Sequence, residues 1–168
     1  MASTRTKKLP FDPIDEAARQ WGLRWGAVEQ MHAVTSLMRV QQILVGLLDE
    51  ILRPHGLTFA RYEALVLLTF SRAGALPLGK MGERLQVHPT SVTSIVDRLE
   101  AADLVCRRRH PEDGRAVLAE ITSRGREVVE AATADLVQAR FGLADTSADD
   151  LSALSGLLRP VRRTAGDF

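Results

Sequence analysis

Between Val87 and Glu100 the apolar residues fall at Val92, Ile95, Val96 and Leu99. That i, i+3, i+4, i+7 spacing predicts a helix with one buried stripe. Its opposite side carries Thr90, Ser91, Thr93 and Ser94, all short hydroxyl side chains. Pro89 suits the first helical position, where its missing N–H costs nothing, and His88 becomes an unusual N-cap. Upstream, Leu78, Met81 and Leu85 mark one side of a short helix over 78–85, and Gln86-Val87-His88 is the break between the two. Downstream, Leu104 to Arg109 reads as a strand. His110-Pro111-Glu112-Asp113-Gly114-Arg115 is turn chemistry, with Asp-Gly the strong signal. Val117, Ala119 and Ile121 then alternate with Leu118 and Glu120 as a returning strand.

The flanks are helical. Ile14, Ala17, Ala18 and Trp21 predict a short helix from Pro13, capped by Asp12 or Asp15, with a break at Gly22 and Gly26. A long helix over 27–53 carries one stripe of Val34, Leu37, Met38, Leu44, Val45, Leu48, Ile51 and Leu52. A second face holds Val40, Ile43 and Leu47. Pro54-His55-Gly56 ends it. Thr58 caps the next helix, which runs to about Ser71 with Phe59, Tyr62, Leu65, Val66 and Phe70 inward; 73–77 is a loop. After the hairpin, Thr122 caps a helix to about Arg140 with Val128, Val129, Ala132 and Leu136 buried. A last helix begins at Thr146-Ser147, uses Leu151, Leu154, Leu158 and Val161, and is kinked or ended by Pro160.

Helix, turn, helix and hairpin in that order predict a mainly α fold with a small β-hairpin wing. This is a winged helix-turn-helix with dimerisation helices at the N- and C-terminal ends. The expected layout is a flexible arm over 1–12, dimerisation helices over 13–56, a winged DNA-binding domain over 57–122 and dimerisation helices over 123–168. A helix apolar on two faces needs burial on two sides. One side packs on its own winged domain; the other calls for a second copy, hence a homodimer.

Composition narrows the classes. A hydrophobic fraction of 45% supports a sizeable core. One cysteine excludes an internal disulfide framework and suits a cytoplasmic location. No apolar run approaches a membrane span, and Arg5, Lys7 and Lys8 are followed by no signal-peptide core. Net charge is only +1, so the charge signal lies in distribution. Arg107, Arg108, Arg109 and Arg115 cluster in the hairpin, a candidate cationic ribbon for double-stranded DNA or else a solvated charge run. His88, Pro89, Thr90, Ser91, Thr93 and Ser94 form the candidate major-groove surface, because a helix end bearing only small polar groups enters a groove about 12 Å wide. Arg98, Arg107 and Arg109 are candidate phosphate contacts.

The run from Leu57 to Gly125 resembles the multiple antibiotic resistance regulator (MarR) family of bacterial transcription factors. The matching pieces are Leu57-Thr58, Asp97-Arg98-Leu99-Glu100 followed by Leu104-Val105, Asp113-x-Arg115, and Ile121-Thr122-x-x-Gly125. The resemblance implies that Arg115 reaches into the minor groove while Asp113 holds its guanidinium. It also implies a ligand-responsive repressor on a pseudo-palindromic operator. Asp103 stands where the family usually has Gly, a position calling for left-handed backbone that Asp tolerates. Met81-Gly82 replaces a commoner Leu-Ala pair, and Gly82 costs its helix about 1 kcal/mol.

In many family members a ligand between the winged lobe and the dimer helices releases DNA. Trp21, Arg24, Trp25 and Tyr62 are the candidates for such a pocket, with Arg24 pairing an anionic effector; the alternative is that both tryptophans are dimer packing. Cys106 is a strand packing residue or a redox-sensitive thiol. His32, His55, His88 and His110 are scattered and form no metal-ligand motif. No nucleophile-elbow, Walker or dinucleotide sequence is present, so neither enzyme, metal nor cofactor is expected. The competing reading is a winged-helix dimer that serves as a protein-interaction module without DNA binding.

Overall fold

The computed structural model describes residues 9–111 and 116–168. The chain divides into two compact units, 1–46 and 47–168, and each is taken by itself. In the first unit, helix α1 (Pro13–Gly22) begins where the Asp12 carboxylate accepts from the backbone N–H groups of Ile14 and Asp15, satisfying two orphan donors. Ala27 turns the chain with a positive φ of 54° before helix α2 (Val28–Leu52). His32 on α2 meets Asp15 on α1 at 2.8 Å.

The second unit opens with the last turns of α2, where Leu48 and Leu52 are buried and Ile51 is packed against the core. The earlier part of the helix behaves differently: Val34, Leu37, Met38, Val40, Ile43 and Val45 are exposed. Gly56, at φ 70°, closes a short 3-10 turn over Arg53–His55. Then come α3 (Phe59–Phe70), β1 (Ala75–Pro77), α4 (Leu78–Leu85), α5 (Pro89–Glu100), β2 (Val105–Arg109), β3 (Val117–Ile121), α6 (Ser123–Gln138) and α7 (Ala148–Thr164). The sheet runs β1-β3-β2, antiparallel throughout, with Arg107 opposite Ala119 and Cys106 opposite Glu120. Leu65 and Leu68 of α3, Met81 of α4, Val92, Val96 and Leu99 of α5, Ala119 of β3, and Ala132 and Leu136 of α6 form one core cluster. His55 ties the end of α2 to Asp135 of α6 at 2.7 Å.

Four local expectations are corrected. Thr58 holds the N-cap position of α3, but its side chain does not cap; the Asp49 carboxylate accepts the Phe59 N–H at 2.7 Å instead. Phe70 is 83% exposed, not inward. At about 100° per residue it lies across the helix from Leu65 and Leu68. The loop at 73–77 contains β1, because Gly74 O accepts Ile121 N–H at 2.9 Å and seeds the pairing. Finally, Pro160 does not end α7, which runs through it to Thr164, with both Pro160 and Gly156, whose carbonyl would have accepted the missing bond, exposed to solvent.

Candidate nucleic-acid interface

The α4–turn–α5 unit is set by close packing. Gln86 adopts left-handed backbone (φ 53°) at the end of α4, and its side-chain amide donates to Glu83 O at 3.0 Å. Val87 N–H reaches back to Gly82 O at 3.2 Å. A side chain at Gly82 would sit 3.4 Å from both Val87 O and Val92 Cγ2, in ordinary van der Waals contact with the turn and with α5. His88 caps α5 as expected: its Nδ1 accepts Thr90 N–H at 3.3 Å and lies 3.1 Å from Thr90 Oγ1. Accepting at Nδ1 places the proton of a neutral ring on Nε2, a free donor at the helix start.

The stripe of α5 divides as its sequence requires. Val92, Val96 and Leu99 are buried and Ile95 is half-buried. His88, Pro89, Thr90, Ser91, Thr93, Ser94 and Arg98 are all exposed. Thr93 Oγ1 donates to Pro89 O at 3.2 Å. Ser91 and Ser94 have no side-chain hydrogen bond among the described residues, so both hydroxyls remain available.

The arginines of β2 separate into different roles. Arg107 is half-buried. Its backbone N–H donates to Glu100 Oε1 at 3.0 Å, and its guanidinium pairs with Glu100 Oε2 and with Asp97 Oδ1 at 2.5 Å. Burial works against the Arg107 charge, but the two carboxylates outweigh it and hold the group above the usual arginine range. This guanidinium, a candidate phosphate contact, bolts the wing strand to α5. Arg108 pairs with Glu120 at 2.6 Å across the sheet. Arg109 is exposed and has no ion-pair partner among the described residues. Asp113 and Arg115 lie outside the described residues.

A cleft that sequence reasoning missed runs beside α5. Thr58 and Arg61 from the start of α3 line it with Ser94, Ile95 and Arg98. Nothing in the apolar periodicity singles out Arg61, which occupies an ordinary polar position of α3.

Of the candidate effector residues, Trp21 and Trp25 lie together in the first unit. Their ring centroids are 4.8 Å apart, and Trp21 Nε1 donates to Gly26 O at 2.9 Å. Arg24 is exposed in the same turn. Tyr62 belongs to the second unit, where it is buried, with its hydroxyl 3.0 Å from Thr133 Oγ1. Among the described residues no cluster of His, Cys, Asp or Glu is arranged to hold a metal, and no helix is long and apolar enough to cross a membrane.

Comparison with known proteins gives a consistent result. The MarR family profile matches residues 60–117. The crystal structure of Sco5413, a MarR family transcriptional regulator from Streptomyces coelicolor, is 57% identical with a TM-score of 0.80, covering 84% of this chain and 99% of that one. The organic hydroperoxide resistance transcriptional regulator of Bacillus subtilis is 33% identical over 65% of this chain and 72% of its own. The uncharacterised regulator YhbI of the same organism is 31% identical over 58% of this chain; the match spans 62% of that protein, less than two thirds of its length.

Proposed function

Since the chain belongs to the MarR family of transcriptional regulators, we propose that it is a homodimeric, sequence-specific DNA-binding repressor acting on a pseudo-palindromic operator. The observation that carries this reading is the division of α5: three buried apolar residues on one side, and a fully exposed run of small polar side chains on the other. In the major groove, the free Ser91 and Ser94 hydroxyls and the His88 Nε2–H supply donors and acceptors for base edges. Arg98, Arg109 and, from the wing, Arg115 supply phosphate or minor-groove contacts. Arg107 acts at one remove, by holding β2 against α5.

The apolar residues that α2 and α7 leave exposed supply the contact between copies. A two-fold dimer then presents two copies of α5 to half-sites about 10 base pairs apart. The promoter is occluded while both are engaged. An anionic small molecule that pairs with Arg24 beside Trp21 and Trp25 releases it. Selection of duplexes from a random pool, followed by mobility-shift titration with and without candidate carboxylates, tests this reading. Equal affinity for selected and scrambled duplexes would overturn it.

A further inference from the structure

We propose that the cleft between the start of α3 and the second half of α5 is a phosphodiester clamp, in which Arg61 and Arg98 hold one backbone phosphate of duplex DNA between them. This rests on the DNA-binding reading above, which already turns Arg98 to a phosphate, and adds Arg61 of α3 as its partner there. Thr58, Arg61, Ser94, Ile95 and Arg98 line an open cleft of roughly 280 Å³. Two arginines from two different helices therefore line one open cleft, with no acidic residue in its lining. Like charges so arranged repel until an anion enters between them.

Asp97 and Asp49 have partners of their own. Asp97, beside Arg98 in sequence, pairs with Arg107 at 2.5 Å. Asp49, which lines an adjoining cleft with Arg53, Thr58 and Arg61, accepts the Phe59 N–H at 2.7 Å. Because Asp49 occupies the start of α3, the attraction comes from the arginines and not from the helix end. Arg98 has no hydrogen-bond or ion-pair partner among the described residues. Arg61 has one, the hydroxyl of Thr58, which accepts from its Nε at 3.2 Å. That bond steadies the fork and leaves both Nη groups as donors. A planar guanidinium matches two phosphate oxygens at once.

The placement suits a backbone contact. Arg98 lies on the exposed side of α5, one turn beyond Ser94 and past the residues that face the bases. A contact there sets register and carries no sequence information. Its loss lowers affinity for every duplex alike.

The test is fluorescence anisotropy of the full chain with a labelled selected duplex and an unrelated one, across about a tenfold range of KCl. Arg61→Gln and Arg98→Gln are each expected to weaken both duplexes several-fold and to reduce the slope of log K against log salt by about one. Arg61→Lys keeps the charge and retains part of the affinity. Thr58→Val, which frees the fork but removes no charge, weakens binding less than Arg61→Gln. Wild-type affinity and slope in Arg61→Gln would overturn the clamp while leaving the DNA reading intact. A changed ranking of duplexes with an unchanged slope would overturn it too, by making Arg61 a base reader. Failure of the wild-type chain to bind any duplex overturns the reading on which the clamp rests. Circular dichroism checks the fold of each variant; should Arg61→Gln lose it, Arg98→Gln, at an exposed position, carries the same outcomes.

Discussion

A methyl group at Gly125 would lie 2.2 Å from the Leu104 carbonyl oxygen and 2.8 Å from Ile121 Cγ1. The glycine lets the start of α6 press onto the chain entering β2. Thr122 secures the same junction: its hydroxyl donates to Asp103 O at 2.8 Å and accepts Gly125 N–H at 2.9 Å. Gly125→Ala should therefore destabilise the fold by about 1–3 kcal/mol in urea titration. Arg107 offers a second test at this scale. As a positioning residue, Arg107→Gln should weaken operator binding by about 1–2 kcal/mol while the salt slope stays at its wild-type value, unlike Arg98→Gln. Anisotropy over a range of KCl separates the two. The chain announces some of this and hides the rest. The left-handed backbone at Asp103 (φ 58°) follows from its place after a helix. In Arg107-Arg108-Arg109, however, three identical residues meet different fates, because strand alternation turns neighbours to opposite faces and only the fold says that Asp97 and Glu100 wait on one of them.

Element boundaries follow the polar and apolar rhythm closely for α1, α2, α5 and α6, each of which has a strong cap or a long stripe. The departures arise where tertiary contacts overrule local signals. Thr58 looks like a cap for α3, yet Asp49, nine residues before it, makes the bond. Asp49→Ala should lower stability by about 1 kcal/mol, whereas Thr58→Val should change it by only a few tenths; thermal unfolding of the two variants checks this. β1 is three residues long and ends in proline, so it has no alternation to read. Its partner strand lies more than forty residues away. The exposed hydroxyl face of α5 was legible from spacing alone. Arg61, on the cleft beside that face, was not, because its importance depends on where α3 meets α5.

At the scale of the molecule, apolar side chains left in solvent are the main clue. α2 exposes Val40 and Ile43, and α7, which buries none of its residues, exposes Leu154, Leu157 and Val161. Apolar surface of this kind usually marks a contact with another chain. Light scattering of the full chain should give twice the 18.5 kDa of one copy. Ile43→Glu or Leu157→Glu should return it to one copy and abolish high-affinity operator binding, since one α5 reads only half a site.

Whether the hydroxyl face of α5 reads DNA sequence is decided by sequencing the duplexes that the protein retains from a randomised pool. A two-fold motif with half-sites about 10 base pairs apart is expected, lost when Ser91 and Ser94 are both replaced by alanine. An unenriched pool, or the same motif recovered with the Ser91→Ala, Ser94→Ala protein, would contradict it.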